Sequence, residues 1–185
     1  MEAGAPVLRG PRVVLRKPAA SDVEARLALG ADAGIQHMFG ASLDEIAPPS
    51  HAGVEAWLKR LAEHPNAWVI AAPALIGEVR LDRVDRRDGR ASLAIGILDA
   101  RRLGQGLGTE AMRLVLRYAF GALGLHRVSA RVLAHNARAI RAYEKCGFAA
   151  EGREREAALI DGVWHDDLIM GVLDRDFARI DTASR

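Results

Sequence analysis

Residues 98–111 read LDARRLGQGLGTEA, and this stretch decides how the chain is interpreted. Glycines alternate at positions 104, 106 and 108, immediately before a helix that the apolar spacing predicts from about Thr109 to Gly121. Glycine permits a tight turn and a close approach to the backbone. The unpaired N–H groups at a helix start, with the positive end of the helix dipole, favour a phosphate or pyrophosphate. The stretch therefore predicts a phosphate-binding loop; a plain strand–turn–helix connection is the alternative.

Two common nucleotide-binding loops do not fit this stretch. A P-loop places a lysine between its last glycine and the following Ser or Thr, whereas Gly108 directly precedes Thr109. A Rossmann fingerprint has GxGxxG spacing after the first strand of a βαβ unit, whereas the spacing here is GxGxG and the loop follows a predicted hairpin. The remaining interpretation is a phosphate-bearing cofactor held mainly by backbone amides.

A second informative stretch, AHNARAIRAYEKCGF, covers residues 134–148. Asn136 is well placed to cap a helix predicted over 137–146, and Gly147 is a natural residue to end it. Tyr143 lies two helical turns after Asn136, so both side chains are expected on one side of the helix. A capped core helix with a half-buried tyrosine is the alternative.

The rest of the chain predicts an α/β (α+β) fold with a largely antiparallel first half, followed by helices packed on a mixed sheet. Ser21 and Glu24 suggest a capping box, and Asp88-Gly89 suggests a hairpin turn. No regular element is expected over 34–50. The other predicted strands cover residues 12–17, 67–72, 75–84, 90–98, 128–133, 148–155 and 163–172, and the other helices cover 23–29 and 53–63.

Length and composition limit the class of protein. The 185 residues predict one domain, 1–185, with a core over about 12–173 and a tail over 174–185 that is poorly ordered from Phe177 onward. The single cysteine, Cys146, cannot form an internal disulfide, which is typical of a cytoplasmic protein. We expect neither a signal peptide nor a membrane span.

Nucleic-acid and metal-binding functions are not expected. The net charge is only +2, aromatic residues make up 5% of the chain, and the basic residues form no cluster with aromatics between them. The six histidines show no HxH or HxxxH spacing that would suggest a metal site.

The two central stretches together resemble the GCN5-related N-acetyltransferase (GNAT) superfamily. LGQGLGTEA resembles its acetyl-CoA pyrophosphate loop, and HNARAIRAYEKCGF is similar to its following motif. The opening RVVLRKPAASDVEA and the closing Gly162-Val163-Trp164-His165-Asp166 resemble the RimJ/RimL type within that superfamily. The similarity covers about residues 12–173. It implies the GNAT fold: a mixed, mostly antiparallel sheet of six to seven strands, splayed at the cofactor strand and flanked by about four helices.

The resemblance implies direct transfer of acetyl from acetyl-CoA to a primary amine, without a covalent enzyme intermediate or a metal. The strand 90–98 would splay at Gly96, freeing the backbone of 95–98 to pair with pantetheine. Leu103 stands where the family usually has Arg, Gln or Trp; Arg101 or Arg102 could substitute for that contact. The cofactor-binding residues implied are Ile95, Ile97, Leu98, Leu103, Gly104, Gln105, Gly106, Leu107, Gly108, Thr109, Asn136 and Arg138.

The resemblance also implies two catalytic groups. Tyr143 would protonate the thiolate leaving group as a general acid, and Glu78 is the preferred general base. Cys146 and His126 are interpreted as structural. The competing candidates for the base are Asp82, His165, Asp166 and Asp167.

The acceptor stays open between a small-molecule amine and a protein N-terminus. An aminoglycoside-type antibiotic acetyltransferase and a non-catalytic acyl-CoA sensor are the alternatives. Acidic residues lining the acceptor site would favour a polycation, and the candidates are Asp44, Glu45, Asp161, Asp166 and Asp167. A monomer or a homodimer is expected.

Overall fold

The computed structural model describes residues 4–182, and they form one eight-stranded sheet in the order β1-β2-β3-β4-β5-β6-β8-β7. The strands are β1 (Leu8–Arg9), β2 (Val14–Arg16), β3 (Ala67–Ala71), β4 (Leu75–Asp85), β5 (Arg90–Ile97), β6 (Arg127–Leu133), β7 (Ala149–Ile160) and β8 (Val163–Leu173). The helices are α1 (Asp22–Leu29), α2 (Ala33–Met38), α3 (His51–Glu63), α4 (Leu107–Arg117), α5 (Ala137–Glu144) and α6 (Asp174–Thr182).

Every neighbouring pair of strands is antiparallel except β5 and β6. These two parallel strands pair only at their beginnings, where Arg90–Ser92 of β5 meets Arg127–Ser129 of β6. Beyond Ser92 they diverge, while β5 stays paired with β4 as far as Ile97. The predicted mixed, mostly antiparallel and splayed sheet is confirmed. The described residues contain eight strands and six helices, more than the six to seven strands and four helices expected.

Helix α4 lies over the central strands and supplies much of the core. Helix α4 buries Ala111, Met112, Val115 and Leu116, whose spacing of three and four residues forms one apolar face. Strand β3 is buried throughout, and its Trp68 donates its indole N–H to the carbonyl oxygen of Pro6 at 2.6 Å. Burial on both faces holds the centre of the sheet rigid.

The predicted capping box at Ser21 does not form, because Asp22 provides the local hydrogen bonds instead. Its carboxylate accepts the backbone N–H of Ala19 and a two-pronged contact from Arg16, all at 2.7 Å. Burial alone would raise the pKa of Asp22, but the Arg16 and Ala19 hydrogen bonds outweigh it and lower that pKa.

The expectation that 34–50 lacks regular structure was wrong. Asp32 caps α2 by accepting the N–H of Ile35, and Ser42 with Glu45 forms a capping box on a short 3-10 turn over Leu43–Glu45. These turns are too short for apolar periodicity to reveal them.

The expected poorly ordered tail is an ordered helix as far as Thr182. Phe177 is buried against Phe120, with ring centroids 5.6 Å apart. Arg117 of α4 forms an ion pair with Asp181, with 2.6 Å between Nη2 and Oδ1. The Phe177 side chain and the Arg117–Asp181 ion pair therefore help to dock α6; residues 183–185 of the expected tail lie outside the described range. Within 4–182, no helix combines the length and the apolar character that crossing a membrane requires.

Candidate active site

A cavity of about 650 Å³ occupies the gap where β5 and β6 diverge. One wall is the edge of β5 from Leu93 to Ile97, which has no strand partner on the β6 side. The glycine loop and the start of α4 form a second wall, and α5 and the end of α2 complete the enclosure. The splay thus creates a slot that an extended ligand can enter as an added strand.

The glycine loop presents free backbone donors to this cavity. Gly104 and Gly106 have φ values of +74° and +79°, a conformation that other residues adopt only with strain. The first helical hydrogen bond of α4 runs from the Glu110 N–H to the Gly106 carbonyl oxygen at 3.0 Å. The N–H groups of Leu107, Gly108 and Thr109 therefore have no acceptor within the helix. Such a terminus is suited to an anion.

Arg12 and Glu110 fix the position of that loop. The Arg12 Nε donates to Glu110 Oε2 at 2.8 Å, and Arg12 Nη1 donates to the carbonyl oxygen of Gln105 at 2.9 Å. Glu110 Oε1 also accepts the backbone N–H groups of Arg12 and Val13. Arg12 and Val13, just before β2, are consequently held to the glycine loop and the start of α4 by one hydrogen-bonded cluster.

Positive charge dominates the lining of the cavity. Arg131 is neutralised by Asp167, which is the lining carboxylate. None of the ion pairs among residues 4–182 involves the other lining cations, which are Arg102, Arg138, Arg141 and Lys145. Arg101 pairs with Asp99 and does not line the cavity, so of the two substitutes considered for the Leu103 position only Arg102 is suitably placed.

Asn136 and Tyr143 both line the cavity from α5. The Asn136 Oδ1 accepts the N–H of Ala139 at 3.1 Å, which confirms the predicted cap, and its Nδ2 donates to the Met38 carbonyl oxygen at 3.4 Å. Tyr143 is only 5% exposed and packs edge-on against Phe148, with ring centroids 5.1 Å apart. Burial, with a smaller contribution from Cys146, raises the pKa of Tyr143 to about 12. Its phenol is therefore protonated at neutral pH.

A second cavity, of about 510 Å³, adjoins the first and shares Phe39, Ala94 and Ile95 with it. Its charged lining residues are Arg26, Glu78 and Arg80. The Glu78 carboxylate accepts the Trp57 indole N–H at 3.0 Å and Arg80 Nη1 at 3.1 Å. Gly96 also lines it, and a Cβ there would lie 2.9 Å from the Phe39 ring. The two cavities thus meet at one segment of β5.

The other candidates for the base do not line the second cavity. Asp82 contacts Arg80 at 2.9 Å and His64 at 3.2 Å. Asp166 is paired with Arg153, and Asp167 with Arg131. His165 packs against His135, with ring centroids 4.9 Å apart.

The two residues expected to be structural have structural contacts. Cys146 is fully buried, and its Sγ lies 3.6 Å from the Thr109 carbonyl oxygen. His126 lies 3.3 Å from Asp174, at the start of α6.

Most of the predicted site residues come together around the first cavity. They are Ile95, Ile97, Leu103, Gly104, Gly106, Leu107, Gly108, Thr109, Asn136, Arg138 and Tyr143. Glu78 and Leu98 line the second cavity, and Gln105 lines neither of the two. The splay begins after Ser92 and not at Gly96, and the Leu98 N–H is taken by the Ile76 carbonyl oxygen at 2.7 Å. Leu98 therefore cannot offer the free N–H expected of it.

Sequence reasoning missed the cations Arg141 and Lys145 and the second-cavity residues Arg26 and Trp57. The spacing of Arg138, Arg141 and Lys145 follows a helical face and could have revealed the first two. No local pattern connects Arg26 with Trp57, since they lie on α1 and α3 and meet only in the folded chain.

The family model, the relatives and the solved structure to which this chain is similar are all acetyltransferases. Residues 12–149 match the family model described as an acetyltransferase (GNAT) domain. The chain is 31% identical over 181 residues to "Probable N-acetyltransferase YjcK" of Bacillus subtilis, covering 92% of this chain and 98% of that protein. It is 32% identical over 99 residues to spermidine N(1)-acetyltransferase of Vibrio cholerae, covering 54% and 57%. The crystal structure of a GCN5-related N-acetyltransferase from Brucella melitensis superposes with a TM-score of 0.77 at 25% identity, covering 99% and 85%.

Proposed function

Because the chain belongs to the GNAT acetyltransferase family, we propose that it transfers the acetyl group of acetyl-CoA directly to a primary amine of a small molecule or of a protein N-terminus. It is an acetyl-CoA-dependent N-acetyltransferase, and the finer assignments of acceptor and residue roles are our proposal. One observation carries them. A slot beside an unpaired strand edge ends at a helix N-terminus among four cations without ion-pair partners in 4–182.

The residues around the first cavity fit coenzyme A. Its pyrophosphate would be held by the free N–H groups of Leu107, Gly108 and Thr109, with Arg102, Arg138, Arg141 and Lys145 supplying positive charge. Its pantetheine arm would lie along the unpaired edge of β5 that includes Ile95 and Ile97. When bound, acetyl-CoA supplies an activated acetyl thioester.

Tyr143 is the proposed general acid. The thiolate leaving group must gain a proton, and the Tyr143 phenol lines the cavity in its protonated form. Asn136, on the same helix and the same cavity wall, would orient the thioester arm. The presence of Tyr143 in the cavity favours an enzyme over a non-catalytic sensor.

Glu78 is the proposed general base for the amine. Its carboxylate lines the second cavity, and that cavity shares Ala94 and Ile95 with the first. Trp57 and Arg80 each donate to one Glu78 oxygen, so the group is held in one orientation. An acceptor in the second cavity would then reach the thioester from the face of β5 opposite the glycine loop.

We also place the chain close to the RimJ/RimL type, because its opening and closing motifs resemble that type. The buried thiol of Cys146 and the lack of a second cysteine are consistent with action in the cytoplasm.

Release of free CoA from acetyl-CoA tests this function. Purified protein is incubated with acetyl-CoA and panels of amino acids, polyamines, aminoglycosides and N-terminal peptides, and the acetylated product is identified by mass. We expect amine-dependent CoA release that is lost in Glu78→Gln. CoA release that does not depend on any amine, with no acetylated product, would contradict the proposal.

A further inference from the structure

The Arg26 guanidinium has an unusual environment in the second cavity. Its Nη1 donates to the Gly30 carbonyl oxygen at 2.8 Å, and its Cζ lies 5.9 Å from the centroid of the Trp57 ring. None of the ion pairs among residues 4–182 includes it. The side chain is half-buried, and the loss of hydration lowers the pKa of Arg26 against a smaller opposing effect of the Glu78 carboxylate. A cation that loses water without a carboxylate in direct contact is costly, and a bound anion would offset that cost.

The neighbouring Glu78 carboxylate attracts Arg26 but forms no ion pair with it. Glu78 is bound by Trp57 and Arg80, and Arg80 also pairs with Asp82. Arg80 is therefore neutralised twice. Arg26 uses its Nη1 on the Gly30 carbonyl oxygen, which leaves its Nε and Nη2 for a carboxylate. The Trp57 side chain contacts Arg26 through its ring and Glu78 through its N–H, so it holds the cation and the carboxylate apart.

The acidic residues that would suit a polycation lie elsewhere. None of the five candidates contributes to the second cavity. Asp161 binds the Leu43 N–H, Asp166 binds Arg153, and Asp167 faces the first cavity beside Arg131. The charged lining of the second cavity is thus two arginines and one glutamate, a set that favours a ligand carrying both charges.

We propose that Arg26 binds a carboxylate of the acceptor, so that the preferred substrate is an amine that carries a carboxylate close to its amino group, as a free α-amino acid does. The amino group lies toward Glu78 and the carboxylate toward Arg26. This inference rests on the proposed function, because it assigns an acceptor to the same site. A planar guanidinium matches a carboxylate with two parallel hydrogen bonds, which a neutral amide cannot reproduce.

The test compares pairs of acceptors that differ only in the carboxylate. Each of the common L-amino acids is assayed against its C-terminal amide, and spermidine serves as the polycation. We expect kcat/KM to be about 10- to 100-fold higher for the best amino acid than for its amide, the range expected for a charged hydrogen-bonding pair. Arg26→Gln should remove this preference, and Arg26→Lys should keep part of it. Arg60→Gln, an exposed arginine on α3, is the matched control and should behave as wild type.

Two readouts separate the possible failures. Calorimetry measures acetyl-CoA binding, which Arg26→Gln should leave unchanged, and thermal melting checks that each variant folds. Two outcomes overturn the carboxylate site alone. One is a kcat/KM for an amide or for spermidine that equals that of the free amino acids. The other is a preference for the free amino acid that survives in folded Arg26→Gln. Acetyl-CoA binding without transfer to any amine overturns the proposed function together with this inference.

Discussion

The side-chain amide of Asn136 lies 3.4 Å from the carbonyl oxygen of Met38, so this one residue joins α5 to the end of α2. Both residues line the first cavity. The same side chain caps α5 through Ala139. Helix capping and the closure of the cofactor slot therefore depend on one amide group, and its two functions can be separated by substitution.

We expect Asn136→Ala to reduce the free energy of unfolding by about 1 kcal/mol, because the cap is lost, and to weaken acetyl-CoA binding. Asn136→Asp keeps an acceptor for the Ala139 N–H but cannot donate to Met38. It should retain most of the stability and still weaken binding. Urea denaturation and calorimetry check both variants; wild-type stability in Asn136→Ala would contradict the capping role.

Substitutions in the glycine loop test the phosphate site. Gly106→Val strains a residue at φ +79°, and Gly108→Val adds bulk at a position where a Cβ would already lie 3.5 Å from Ile97. Each should raise the Kd for acetyl-CoA about tenfold or more, the equivalent of one charge-assisted hydrogen bond. Calorimetry measures the Kd values.

Gly124→Val is the control for backbone strain. Gly124 also has a positive φ, +64°, but lies outside both cavities with open space around it. This variant should lose stability and keep its affinity. Unchanged affinity in both Gly106→Val and Gly108→Val would remove the phosphate from this loop.

Helix α6 should contribute measurably to stability. Phe177 is 4% exposed and packs against Phe120, so Phe177→Ala is expected to reduce the free energy of unfolding by about 3–5 kcal/mol. Arg175→Ala, an exposed position on the same helix, should have little effect. Chemical denaturation of the two variants gives the comparison, and equal stability would show that α6 is not part of the cooperative unit.

The strands and long helices could be predicted because their apolar patterns are local. The bounds of α3 and β6 were predicted within two residues. Helix α6 was missed because most of its residues are polar, and its ion pair with Arg117 joins residues 64 positions apart. Long-range pairs leave no periodic signal in the sequence.

In the candidate site, too, the local features could be predicted from the sequence and the long-range ones could not. The glycine loop and Asn136 could be located because a cap and a helix N-terminus are local features. The start of the splay could not, since it depends on where β5 and β6 stop pairing, and β6 is paired with β8 along its whole length. The charged residues of the second cavity lie on α1 and β4, which are distant in the sequence, so its charge could be known only after folding.

Stability should fall at alkaline pH because two buried groups resist ionisation. Burial raises the pKa of Cys146 from 9.0 to about 12, against a smaller opposing effect of Arg113, and raises the pKa of Tyr143 from 10.0 to about 12. The unfolded chain loses these protons first, so the stabilisation is complete below about pH 9 and is lost as the pH rises toward 12. Each group contributes a slope of up to about 1.4 kcal/mol per pH unit.

Urea denaturation at pH 8, 9, 10 and 11 measures this loss. Cys146→Ala should flatten the decline between pH 9 and 10, and Tyr143→Phe should flatten it only above pH 10. Burial lowers the pKa of Lys17, an opposite effect that is the same in all three proteins and cancels in the comparison. Parallel curves for wild type and both variants would contradict the assignment.

The role of Tyr143 gives the mechanistic prediction. Tyr143→Phe keeps the ring that packs against Phe148 and removes only the hydroxyl, so stability at neutral pH should be almost unchanged. If the phenol protonates the leaving thiolate, kcat should fall by about 10²- to 10⁴-fold, the usual contribution of a general acid, while the Kd for acetyl-CoA changes little.

Steady-state kinetics alone could hide this effect if product release limits turnover, so the acetyl-transfer step is also measured by rapid quench before the first turnover is complete. Thermal melting confirms the fold of the variant. Tyr118→Phe is the matched control, because the Tyr118 hydroxyl contacts Asn66 at 3.4 Å and lines neither cavity. It should leave kcat unchanged. An unchanged rate of acetyl transfer in Tyr143→Phe would mean that water or another group protonates the thiolate, and Tyr143 would then serve only to pack α5 against the core.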